Sequence, residues 1–257
     1  MSQYILIKTL TIIIQKEIMK KIITTIAFIA LCTVSAKAAD FSVFSITGGI
    51  AANQGVFGAT ATEVNDDQSG NNVHTSSNSG VFTDSYSSQF IELGIGQWIS
   101  IGYEHTPDSV STPQNVSREG GSAPSPGKNT VSVDFNDMNT TYVKVNLPFV
   151  AGLYVKSGLV STDLDIKEKM GSGSTYKNVS TDGTMFGAGY SRFFGESNLG
   201  FRLETSYLEL DAVKTDNGVA QGTAFVRSIG RAHNGVSAKN LEGLQAKVAL
   251  TYTFGKN

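Results

Sequence analysis

The stretch Leu244-Gln245-Ala246-Lys247-Val248-Ala249-Leu250-Thr251-Tyr252-Thr253-Phe254, close to the C-terminus, decides the reading of the fold. Side chains of an extended strand alternate between two faces, so Leu244, Ala246, Val248, Leu250, Tyr252 and Phe254 share one face that is apolar throughout. Gln245, Lys247, Ala249, Thr251 and Thr253 fall on the other. The stretch has the length, roughly 9–11 residues, of a tilted strand that crosses a bilayer core, and its apolar face ends in two aromatics suited to a membrane interface. It reads as the closing strand of a membrane barrel.

A barrel alternates lipid-facing and lumen-facing residues, so a mean hydropathy near zero over 257 residues is compatible with one. A formal charge of −2 and the lack of any basic stripe exclude nucleic acid as a partner.

The N-terminal end reads as an extension plus export signal, residues 1–38, ahead of a barrel domain, residues 39–257. Lys20 and Lys21 follow Met19 as a basic segment, Ile22 to Val34 form the apolar core, and Ser35-Ala36-Lys37-Ala38 carries the small residues of a cleavage site. Cleavage is expected near Ala38 and translation from Met19. The apolar run from Ile22 to Val34 is too short for a spanning helix, which needs about 20 residues. Cys32, the one cysteine, lies inside this signal, and Leu31 before it is larger than a lipoprotein signal wants. The mature chain therefore holds neither a disulfide nor a thiol nucleophile.

From Asp40 the chain alternates strand-like stretches with polar connections. Eight strands are expected, at about 41–59, 86–96, 99–106, 136–147, 151–166, 178–194, 199–213 and the closing stretch. The connections 61–85, 107–135, 167–177 and 214–240 are long or medium, while the turns at Gln97, Pro148 and Ser197 are short. An outer-membrane barrel sorts its connections this way, with short turns in the periplasm and long loops outside. A soluble β-sandwich has similar strands but no reason to sort connections by length. Phe44, Trp98, Phe149, Phe193, Phe194, Tyr252 and Phe254 fall near the expected periplasmic ends, as an aromatic girdle would.

Strand count, loop asymmetry and the terminal Tyr252-Thr253-Phe254 resemble the small eight-stranded outer-membrane β-barrels of Gram-negative bacteria, similar to the OmpA N-terminal barrel, OmpX, Opa and OmpW proteins. The resemblance implies an all-β, eight-stranded antiparallel up-and-down transmembrane barrel in the outer membrane. It also implies outer-membrane lipid, barrel-assembly machinery and periplasmic chaperones as partners, together with whatever extracellular ligand the loops meet. Members of that family end on the aromatic itself, whereas Gly255-Lys256-Asn257 follow here.

Candidate chemistry is sparse. His74, His105 and His233 are far apart and lack ligand spacing. Asn65-x-Asp67-x-Ser69-Gly70 imitates the start of a calcium loop, but Ser76 stands where the bidentate Glu belongs. Gly121 to Gly127-Lys128 departs from a phosphate-binding loop in spacing and in Asn129. No catalytic residue, cofactor or metal is expected. The inward faces are more informative: Glu92, Glu104, Lys144, Lys156, Arg202, Glu204 and Lys247 all point into the barrel in one middle band. An eight-stranded interior is just wide enough for side chains to fill, so these charges either pair and close the lumen or reach water at the barrel ends. The pairs expected are Glu204 with Arg202 and Lys247, and Glu104 with Lys144, and loss of Glu204 is expected to open the lumen. The function expected is a non-enzymatic scaffold for surface display. A small porin or carrier, and a lipid-modifying barrel enzyme, are the alternatives.

Overall fold

The computed structural model describes residues 43–66, 73–118, 128–148, 150–169, 175–220 and 233–255. The signal segment with Cys32, most of the calcium-like and phosphate-loop-like stretches, Phe149 and the side chain of His74 lie outside them. β1 (Phe44–Asp66) pairs antiparallel with β2 (Val73–Ile95) along its whole length, from Phe44↔Ile95 to Asp66↔Val73. β3 (Ile99–Thr106) follows, then two short pieces, β4 (Val110–Ser111) and β5 (Asn115–Arg118). β6 (Lys128–Asn146), β7 (Leu153–Lys169), β8 (Val179–Phe193) and β9 (Leu199–Leu210) continue the meander. β10 (Val213–Asp216) is short, and β11 (Asn234–Phe254) returns to β1.

Among the described residues, eight strands form a closed ring in the order β1-β2-β3-β6-β7-β8-β9-β11, and β1 and β11 seal it from Ile46↔Phe254 to Asn65↔Asn234. Closure leaves no unpaired sheet edge within the ring, the condition a β-structure must meet to cross a bilayer. Every ring strand meets its neighbours in sequence order, so the barrel is all-β, antiparallel and up-and-down.

Three short turns, at 96–98, 147–152 and 194–198, lie at one end of the ring. Gly96 and Gly195 turn there with φ of 61° and 60°, the left-handed region that glycine enters without a Cβ clash. The longer connections lie at the opposite end.

The strands at that opposite end run further than their sequence suggests. β1 continues past Ala59 to Asp66, and β2 begins at Val73 instead of Tyr86, so most of the expected loop 61–85 is a paired hairpin. β6 begins at Lys128 and β11 at Asn234, while β4 and β5 pair with β6 and β10 pairs with β11 inside stretches expected as loop. A strand that has left the lipid needs no apolar face, because the ladder and polar side-chain pairs hold it in water. Thr60 Oγ1 lies 2.9 Å from Ser79 Oγ and Thr62 Oγ1 3.0 Å from Ser77 Oγ, a hydroxyl ladder along the β1–β2 hairpin. Each of these two strands has 23 residues, about twice what a bilayer core requires.

The faces separate as the two-residue period dictates. Ile50, Ile91, Leu93, Leu199, Leu203, Leu244, Val248 and Leu250 point outward and are exposed. An apolar girdle of this extent around a closed barrel finds its favourable partner in lipid tails, not in water. Trp98, Phe194, Tyr252 and Phe254 are exposed at the short-turn end, as a girdle requires. Phe44 and Phe193 lie at the same end, half-buried, and border the cavity at the mouth of the lumen.

Candidate functional site in the barrel lumen

Inward parity brings all seven charged residues into the interior: Glu92, Glu104, Lys144, Lys156, Arg202, Glu204 and Lys247 are each less than 9% exposed. They form two layers.

In the layer nearer the short turns, Glu92 accepts from both Lys144 and Arg202. Arg202 reaches it with both terminal nitrogens, at 2.7 and 2.8 Å, and Lys144 Nζ lies 2.5 Å from Oε2. The bidentate fork fixes orientation as well as energy. One carboxylate thus serves two cations, and the layer carries one excess positive charge.

The next layer is a four-membered ring. Lys247 Nζ contacts Glu104 at 2.5 and 2.6 Å and Glu204 at 3.3 Å, while Lys156 Nζ contacts Glu204 at 2.5 Å and Glu104 at 3.3 Å. Each lysine touches both carboxylates, so charges alternate around the ring and sum to zero. Ser88 Oγ donates to Glu104 at 2.8 Å and in turn accepts from Asn53 Nδ2 at 3.0 Å.

Of the expected partners, Glu204 and Lys247 do meet, at 3.3 Å between directly paired positions of β9 and β11, and the others differ. Glu204 bridges Lys156 and Lys247, not Arg202 and Lys247. Glu104 pairs with Lys156 and Lys247, and Lys144 goes to Glu92. The expectation considered only hairpin neighbours, whereas long side chains in a narrow barrel reach across the lumen.

Two tyrosines and a phenylalanine complete the site, and charge-based reading of the sequence missed them. Tyr142 donates to Glu92 and Tyr154 to Glu204, each at 2.8 Å. The Tyr142 ring lies beneath Lys156 at 4.5 Å, and the Phe90 ring beneath Arg202 at 4.6 Å. Room for the tyrosine rings comes from glycines directly opposite. Gly102 pairs with Tyr142, and a Cβ there would lie 2.3 Å from the ring; Gly189 pairs with Tyr154, and a Cβ there would lie 2.3 Å from its hydroxyl. An inward glycine beside an inward aromatic was the signal available in the sequence.

Beyond the ring, toward the long connections, the lumen is filled by an apolar cluster. Phe57, Tyr86, Phe135, Met138, Val160, Met185, Leu208 and Leu241 are buried in it, with Phe82 and Val133 packed against them. The void between ring and cluster is about 20 Å³, room for about one water. Toward the short turns the lumen opens instead into a vestibule of about 420 Å³.

Of the histidines, His105 Nδ1 lies 2.8 Å from Asn139 Oδ1 on the outer wall, and His233 Nδ1 lies 2.5 Å from the Val219 carbonyl.

No family model and no curated protein matches the sequence. Among solved structures, the chain is similar to the outer membrane protein OprG of Pseudomonas aeruginosa, at 11% identity over 80% of this chain and 96% of that one, with a TM-score of 0.48. It is also similar to Ail of Yersinia pestis (10% identity, 79% and 99% covered, TM-score 0.35) and to the outer membrane protease OmpT of Escherichia coli (10%, 82% and 97%, 0.35). Likeness at this level carries no functional argument, and the fold rests on the closed ring of strand pairs. The chain is an eight-stranded antiparallel transmembrane β-barrel with the architecture of the small outer-membrane barrels.

Proposed function

We propose that this protein is a non-enzymatic outer-membrane scaffold, closed to solutes, that holds polar strands and connections beyond the membrane for contact with the surroundings. The observation that carries the reading is the filled lumen: two paired charge layers and an apolar cluster in series, with about 20 Å³ of void between ring and cluster. A hydrated ion would have to part several ion pairs and then enter an apolar plug, and both steps cost free energy. The display half of the reading is supported by the β1–β2 hairpin, whose polar outer portion extends past the apolar girdle. In this reading the girdle meets outer-membrane lipid, and assembly uses barrel-assembly machinery and periplasmic chaperones. The test is conductance of the refolded native protein in a planar bilayer. Little or no steady current is expected, and a stable open channel would replace the scaffold reading with a small porin.

A further inference from the structure

We propose that the vestibule at the short-turn end is a binding site for a small oxyanion, a phosphate or carboxylate group carried by a molecule on the periplasmic side. Its volume, about 420 Å³, falls within the range of small-molecule sites. Its floor is made of Lys144 and Arg202, which are 7% and 3% exposed. The carboxylate that serves both, Glu92, is not among the residues that line the cavity, and among the described residues no other Asp or Glu is. Three cations therefore line the cavity, Lys144 and Arg202 at its floor and the exposed Arg192, while the counter-ion of the first two sits behind them, already holding four donated contacts from Arg202, Lys144 and Tyr142.

The walls suit the same guest. Ser45, Thr47, Ser100, Ser191, Thr251 and Thr253 line them with hydroxyls; Thr47 and Thr253 share a hydrogen bond at 2.8 Å, which leaves one proton of that pair, beside the other four hydroxyls, to turn to an oxyanion. Among the described residues Arg202 Nε is buried without a hydrogen-bond partner, so its guanidinium has donor capacity that Glu92 leaves unused. The filled lumen above gives the vestibule a floor, which makes it a pocket to be occupied and not a passage. An anion there meets the one excess positive charge of the layer in a partly desolvated setting, where Coulomb attraction exceeds its strength in bulk water.

The experiment titrates inorganic phosphate against the refolded barrel in a maltoside detergent at fixed ionic strength, with chloride as the control salt. Calorimetry and the fluorescence of Trp98, the one tryptophan, report binding; Trp98 sits in the turn beside Gly96 and Gln97 of the vestibule wall. Saturable binding of phosphate but not of chloride is expected. Ser100 is paired in register with Lys144, so Ser100→Asp sets a carboxylate beside the floor and should weaken binding by about tenfold or more while the barrel keeps its heat-modifiable gel mobility. Should that variant fail to assemble, Thr251→Asp makes the same test on another wall. Repeating the titration in phosphatidylcholine vesicles with and without phosphatidylglycerol assigns the source. Binding in both supports a soluble ligand, and loss only with phosphatidylglycerol supports a lipid headgroup at the same site. No phosphate-dependent signal in the native protein, or undiminished binding in the assembled aspartate variant, would overturn the proposal.

Discussion

Tyr142 and Tyr154 tie the two charged layers together in opposite senses. Tyr142 gives its hydroxyl to Glu92 in one layer and its ring face to Lys156 in the other. Tyr154 gives its hydroxyl to Glu204 and its ring face to Arg202, at 5.3 Å, and Lys144, at 5.5 Å. Each layer therefore holds one tyrosine by hydrogen bond and the other by cation–π attraction, and neither layer can shift without disturbing both rings.

That cross-bracing is testable by a double-mutant cycle. Tyr142→Phe and Tyr154→Phe each remove a hydrogen bond to a buried carboxylate, expected to cost about 1.5–3 kcal/mol. The double variant should depart from the sum of the two, because the residues share one network. Urea unfolding in lipid vesicles measures all four states, and strictly additive, small losses would show that the rings are only filler.

Within the first layer the three members are not equivalent. Glu92→Gln strands both Lys144 and Arg202 and should cost about 3–5 kcal/mol, whereas Lys144→Gln leaves the bidentate Glu92–Arg202 pair intact and should cost less. The same unfolding assay ranks them. Equal losses would mean that Glu92 is not the shared counter-ion.

The apolar cluster changes what is expected of Glu204. Taken from sequence, loss of Glu204 alone opens the lumen; with a second barrier in series, Glu204→Ala should destabilise the ring yet leave the bilayer non-conducting. Adding Met185→Ala and Leu208→Ala, which empty part of the cluster, should bring steady current. A conducting Glu204→Ala variant would show that the cluster does not seal.

On the outer wall, Leu203→Arg places a charge at mid-girdle and should cost on the order of 2–4 kcal/mol. Glu209→Arg, on the same face of β9 beyond the girdle, should cost roughly 0–1 kcal/mol. Comparable losses at both sites would misplace the bilayer along the barrel.

Topology has its own check: protease added to whole cells should cut within 107–127 or 211–233 and spare Ser197. Cleavage at Ser197 in intact cells would invert the orientation.

The sequence made the membrane-crossing half of the barrel legible because lipid imposes a strict alternation there. Ile99–Thr106 and the start of β9 at Leu199 follow directly from it. Outside the lipid the constraint lapses, and Ser- and Asn-rich strands such as 73–85 carry no apolar face to betray them. That same blindness hid the apolar cluster, since Phe82, Val133 and Phe135 lie in stretches that read as loop. Charge and parity placed the seven ionic residues in the lumen and the strand neighbours Glu204 and Lys247 together, but the remaining partners depend on reach across the barrel, which one strand or hairpin does not encode.

The ring of Lys156, Glu204, Lys247 and Glu104 draws its members from four different strands, and Glu92 and Arg202 stand 110 residues apart in the chain. Only the Glu204–Lys247 contact joins neighbouring strands; the rest of these bonds need strands that do not pair with each other. A partly assembled sheet would carry seven ionic side chains on the face that later becomes the lumen, and that face would have to stay wet until the first and last strands meet. Sealing the barrel and drying its interior are thus one cooperative event, which disfavours half-inserted forms and ties the arrival of Asn234–Phe254 to the moment the protein becomes stable.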